Sequence, residues 1–289
     1  MGLALIRSTS AECHFASMIN WRVLPSRIYL ALILEWKALR TPGCGVLYVW
    51  NKWLALFFNR SEIYFLGRKF RYQDRLAPFM IFDYVHEVAK TRSLFKFENR
   101  QLRVLEIGGN IGNWGICWLK QMPATDLYTF EPNPEPFEIL RYNSHELKQW
   151  KIFNFGVGTA DQKMKFYFIP QKSGQGSIYR ENADKNLLGQ FSVKETEVDI
   201  RKLDRSFCQN YLGGTHFDFI KIDVEGAEWE VLKGISDLTW HGMYVELNLS
   251  KGPNTLEQFI EVCRKNWPTF EVLEAQSYSN GNCDLFLKC

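Results

Sequence analysis

The segment Glu106-Ile-Gly-Gly-Asn-Ile-Gly112 follows a short apolar lead, Leu102-Arg-Val-Leu105, and is answered nineteen residues after its last glycine by an acid in Phe130-Glu-Pro-Asn133. The lead reads as a buried strand and the glycines as a tight turn into a helix. Glu131 then falls at the end of the next strand, where a carboxylate can clamp a ribose. Two parallel strands joined in this way need a crossover helix, so the unit commits the chain to an α/β fold with a mostly parallel sheet and helices on both faces. A pocket for a nucleoside-bearing cofactor is the first functional implication.

Spacing narrows the cofactor. A dinucleotide fold wants glycine at the first, third and sixth positions, the last so that helix and strand pack closely. Counted from Gly108, the sixth position is Asn113, which weakens an NAD-dependent oxidoreductase as a reading. Counted as acid-x-Gly-x-Asn-x-Gly, the loop resembles the first motif of Rossmann-like S-adenosylmethionine (SAM) dependent methyltransferases, with Asn110 where many members carry glycine. SAM has no pyrophosphate to seat on a helix N-terminus. The loop then needs close backbone approach at Gly108 and Gly112, with Glu106 to organise the amino acid end. Glu131 suits the ribose because a carboxylate offers two acceptor oxygens and no competing donor.

A second block, Phe217-Asp-Phe-Ile-Lys-Ile-Asp-Val-Glu-Gly-Ala-Glu228 followed by Trp-Glu-Val-Leu-Lys-Gly234, closely resembles the signature of FkbM-like methyltransferases. So do Phe130-Glu-Pro-Asn-Pro134, the Leu203-Asp204 pair and Tyr244-Val-Glu-Leu-Asn248, in the family's order over about residues 100 to 288. The resemblance implies a class I methyltransferase fold and a SAM-dependent transferase acting on hydroxyl oxygens of sugars, glycans or small molecules. Cofactor contacts are expected from Glu106, Gly108, Asn110, Gly112, Glu131 and Asn133. An alcohol is a weak nucleophile near neutral pH, so its proton must pass to a positioned base. Asp223 and Glu225, at the end of a parallel strand beside the cofactor loop, are the candidates. Alternation places Lys221 on the same face as Asp223. Structural capping of the helix near Gly226 is the competing role for Asp223. Glu246 and Asn248 end the neighbouring strand, and with Asp223 they would form a metal site as a second route to activation; whether a metal is used stays open.

At 289 residues and 46% hydrophobic, the chain can bury one substantial core. Three parts are expected: a helical extension over 1–60, a hairpin and helix over 61–100, and the methyltransferase domain over 101–289. Thirty-five basic and 32 acidic residues give a net charge of +3 and no reason to invoke nucleic acid. Seven scattered cysteines without a C-x-x-C pair suit a reducing, cytoplasmic setting. No run reaches the ~18 apolar residues of a membrane span. Apolar, aromatic stretches at 28–34 and 46–58, flanked by Arg and Lys, instead suit a membrane surface, or the cover of the catalytic domain or of a second subunit. A non-catalytic module attached to a membrane through this extension is a further alternative.

A hairpin is expected over 62–72 and a helix over 77–90, with His86 on its apolar face as a buried imidazole. Strand and helix signals then alternate to the C-terminus, interrupted by extra strands at 163–169 and 192–199. The polar stretch 171–190 between them is expected to face the substrate as a lid, with Ser177 matching a serine common in the family. Ligands in open α/β sheets sit beyond the strands' carboxyl ends. Four segments are therefore expected to meet: 106–112, 131–133, the stretch after Phe155, and 223–225.

Overall fold

The computed structural model describes residues 61–73, 77–170, 172–183, 192–249, 255–278 and 281–289. The helices expected within 1–60, and part of the polar stretch at 184–190, lie outside the described residues.

Seven strands form the central sheet: β3 (Leu102–Ile107), β4 (Thr125–Phe130), β5 (Trp150–Phe153), β10 (His216–Ile222), β11 (Thr239–Asn248), β12 (Glu271–Ser277) and β13 (Asn282–Lys288). Their order is β12-β13-β11-β10-β3-β4-β5. Strands β5, β4, β3, β10 and β11 run parallel, and β13 enters antiparallel between β11 and β12. The Rossmann-like class I methyltransferase fold expected from the sequence is present. The order in which the chain adds strands switches sides at β3, because β4 and β5 lie to one side and β10 and β11 to the other. A crevice opens at the carboxyl ends of strands at such a point.

The central strands are buried on both faces, which is why β3 and β10 read as nearly continuous apolar runs. On one face Val104, Phe219, Tyr244 and Phe286 pack with α1 (Ala77–Phe95) and α2 (Asn113–Gln121). Helix α1 contributes Ile81, Val85, Val88 and Phe95; α2 contributes Trp114 and Trp118, stacked with ring centroids 4.8 Å apart. On the other face Leu105, Ile107, Ile220, Ile222, Met243 and Val245 pack with α4 (Glu228–Gly234) and α5 (Leu256–Asn266). Helix α3 (Pro134–Ser144) follows β4 and places Leu140 in the first core. His86 is exposed, contrary to the expected buried imidazole. The buried stripe of α1 runs through Ile81, Val85 and Val88, and position 86 lies off it.

The hairpin β1 (Glu62–Phe65) and β2 (Arg68–Arg71) forms as expected and shares the first core through Ile63, Phe65 and Phe70. The extra strands form a second sheet, in which β6 (Gly156–Val157) and β7 (Gln162–Ile169) flank β9 (Lys194–Arg201). Part of the expected lid is itself ordered as its edge, β8 (Lys172–Ser177). Among the described residues no helix is long and apolar enough to cross a membrane. Cys117, Cys208, Cys263 and Cys283 are buried.

Candidate active site

The four segments converge on one cavity of about 550 Å³, lined by Glu106 to Asn110, Glu131 to Asn133, Gly156 to Thr159 and Asp223 to Glu225. The turn after β3 is built tightly. Gly108 and Gly109 both donate their N–H groups to the Phe130 carbonyl at 3.0 Å. Gly108 has φ +90°, and a Cβ there would lie 1.8 Å from the Asp223 carbonyl oxygen, so only glycine lets the ends of β3 and β10 approach. Gly109 is constrained from the other side, where a Cβ would lie 2.1 Å from Thr129 Cγ2. The Asn110 N–H donates to Glu131 Oε2 and the Asn133 N–H to Glu131 Oε1, both at 2.8 Å. Glu131 is thereby aimed from both sides before any ligand arrives.

Glu106 lines the same cavity, in a row that strand alternation builds across the sheet. Thr129, Glu106, Lys221 and Tyr244 are register partners on four adjacent strands and so share one face. Trp150 Nε1 donates to Thr129 Oγ1 at 2.7 Å, and that hydroxyl donates to Glu106 Oε2 at 2.6 Å. Burial raises both carboxyls to about 7; Lys221 and Thr129 oppose the rise at Glu106, and the two backbone N–H groups oppose it at Glu131.

Two expected contacts serve the loop itself. Gly112 does not line the cavity: it is the N-cap of α2 with φ +89°, and a Cβ there would meet Leu140 Cδ1 and Trp150 Cη2 at 2.8 Å. Packing behind the loop by itself requires glycine there. Asn133 does line the cavity, but its side chain caps α3 by accepting the Glu135 N–H at 3.2 Å. Sequence reasoning passed over Asn113, Trp114 and Tyr84, which also line the cavity. Asn113 entered the sequence argument only as a missing glycine, and Trp114 looks like any aromatic on a core helix.

At the far end, Lys221 Nζ donates to Asp223 Oδ2 at 2.8 Å, as alternation implied. Both residues line the cavity; the lysine side chain is 2% exposed and the aspartate's 19%, so the carboxylate is the more open member of the pair. Burial works against the Lys221 ammonium, but Asp223, Glu87 and Glu106 outweigh it and hold its pKa above the ordinary value. Asp223 does not cap the next helix; α4 begins at Glu228, and Glu228 Oε1 accepts the Gly226 N–H at 2.7 Å. Glu225, with φ +53°, lines the cavity in the loop before that helix, two residues short of its N-cap Ala227. Glu246 lines the cavity too, raised in pKa by Asp223 first and then by burial, with Asn282 donating to its Oε1 at 3.0 Å. Among the described residues no three His, Cys, Asp or Glu side chains are placed to hold a metal ion. From above, Ser177 Oγ donates to the Glu225 carbonyl at 2.9 Å and Tyr179 Oη to Glu230 Oε1 at 2.7 Å, fastening the end of β8 across the cavity.

The model of the methyltransferase FkbM domain matches residues 106–273, more than half of the chain and the whole span from Glu106 through the acidic far end. The chain belongs to this family. With FkbM-domain membership comes its cofactor, SAM. The lining suits that ligand: the cavity has the volume of a small-molecule site, Gly108 opens its floor, and buried polar atoms of Asn110, Asn113 and Trp114 have no partner among the described residues.

Similar proteins include Methyltransferase 1 of Beauveria bassiana, 27% identical over 164 residues covering 52% of this chain and 66% of that one. The 2-O-methyltransferase NoeI of Sinorhizobium fredii is 26% identical, covering 45% and 56%. The 31-O-demethyl-FK506 methyltransferase FkbM of Streptomyces tacrolimicus is 26% identical, covering 47% and 60%. The chain spans less than two thirds of the length of each. Among solved structures, the N-terminal domain of EvdMO1 with SAH bound aligns with a TM-score of 0.41 at 13% identity, covering 71% of this chain and 79% of that one. Precorrin-6y C5,15-methyltransferase of Geobacter metallireducens aligns with a TM-score of 0.39 at 12% identity, covering 71% and 86%.

Proposed function

We propose that the protein is a SAM-dependent O-methyltransferase acting on a hydroxyl of a sugar, glycan or other small molecule. Glu106, Gly108, Asn110, Glu131 and Asn133 form the cofactor wall, and Asp223 with Glu225 stands at the reacting oxygen. The observation that carries this reading is that Glu106, Glu131 and Asp223 line one glycine-floored cavity. The names of two relatives, a 2-O-methyltransferase and a 31-O-demethyl-FK506 methyltransferase, support oxygen as the acceptor atom.

Bound SAM supplies a methyl group on a sulfonium whose departing thioether needs no proton. The protein's work is then to align the acceptor, exclude water and receive one proton. Asp223 accepts the hydroxyl proton as the new C–O bond forms, and Lys221, fixed at 2.8 Å, holds that carboxylate in one orientation. Glu246, raised in pKa by Asp223 and by burial, lines the same cavity and can hydrogen-bond a second hydroxyl of the acceptor. Ser177 and Tyr179 keep β8 over the site and limit water.

The test is transfer of a labelled methyl group from SAM to a panel of sugars, glycans and alcohols, read by a mass gain of one methylene. Asp223→Asn should lower kcat by roughly 10² to 10⁴ while leaving affinity for S-adenosylhomocysteine within about twofold. An Asn variant as fast as the wild type would remove Asp223 from the chemistry.

A further inference from the structure

Resting on that function, we propose that the α-amino acid end of SAM is read by Asn113 and Trp114, with the Asn113 amide oxygen accepting from the ammonium and the Trp114 indole N–H donating to the carboxylate. Both residues line the cavity and are more than nine-tenths buried, at 8% and 2% exposure. Asn113 Oδ1 and Trp114 Nε1 are each buried with no hydrogen-bond partner among the described residues. Leaving such a group unpaired is costly, so an orphaned acceptor and an orphaned donor on consecutive residues that line one cavity mark a ligand that carries the complementary pair.

An α-ammonium carboxylate is such a ligand. The two residues open α2, whose N-cap Gly112 supplies no side-chain acceptor, and the positive end of a helix favours an anion. Lys221 Nζ lies 5.9 Å from the Trp114 ring centroid. Glu106 is 1% exposed and already accepts from Thr129 Oγ1 and the Gly115 N–H, which leaves the contact to Asn113.

The experiment compares two ligands by calorimetry, S-adenosylhomocysteine and 5′-methylthioadenosine, which has the same nucleoside but no amino acid end. Trp114→Phe removes the donor and keeps an aromatic ring; Asn113→Ala removes the acceptor. Each should weaken S-adenosylhomocysteine roughly tenfold or more and leave methylthioadenosine within about twofold. Equal losses for both ligands would mean that the variants damage the pocket at large, and no loss for either would mean that the atoms serve no ligand; both results overturn the inference alone. A wild-type protein that binds neither ligand would overturn the proposed function and this inference with it.

Discussion

Glu131 shows how much of a site one residue can carry and how the fold prepares it. Its two oxygens are aimed by the N–H groups of Asn110 and Asn133, yet burial still raises its pKa to about 7, as it does at Glu106. A carboxyl raised on folding favours the folded state while it stays protonated. Its contribution is fully present below the ordinary value near 4.5 and is lost as pH rises through about 7. Between about pH 5 and pH 8, the thermal midpoint of Glu131→Gln should therefore rise relative to that of the unliganded wild type, because the amide has no charge to bury. A constant difference across that range would mean that Glu131 is not held in a low-dielectric site. At this scale the sequence was legible where chemistry and backbone coincide. Gly108, Glu106 and Glu131 could be read from spacing. The reason for Gly112 could not, because Leu140 and Trp150, which exclude a side chain there, come from elements 28 and 38 residues away.

At the scale of elements, periodicity identified β3, β4, β10 and α2, whose buried faces are continuous. It did not reveal that Thr129, Glu106, Lys221 and Tyr244 line up across the sheet, since register between strands is set by tertiary pairing. The polar stretch after residue 170 has the composition of a lid, yet its first part is a strand because β7 offers an edge for β8 to pair with. Its Ser177 is 1% exposed and bonded to the Glu225 carbonyl, so the serine acts as a fastener. Ser177→Ala should cost about 1 kcal/mol of stability, speed amide exchange over 172–179 and raise the acceptor KM, with S-adenosylhomocysteine affinity unchanged. Unaltered exchange in that strand would show that β8 is held by its sheet alone.

For the whole molecule, the order β12-β13-β11-β10-β3-β4-β5 explains why residues far apart in sequence meet. Both halves of the sheet start at its centre, so the ends of β3, β4, β10 and β11 open on one crevice. The hairpin and α1 close the first face over that sheet and bring Tyr84 to the cavity. The central claim is that Glu131 and the glycine turn hold the adenosyl group of SAM. Its most direct test is calorimetric titration of the wild type and Glu131→Gln with S-adenosylhomocysteine, with NAD as the control ligand. The account predicts that the wild type binds S-adenosylhomocysteine and not NAD, and that Glu131→Gln weakens it by roughly tenfold or more. Equal affinity in the two proteins, or binding of NAD alone, would contradict it.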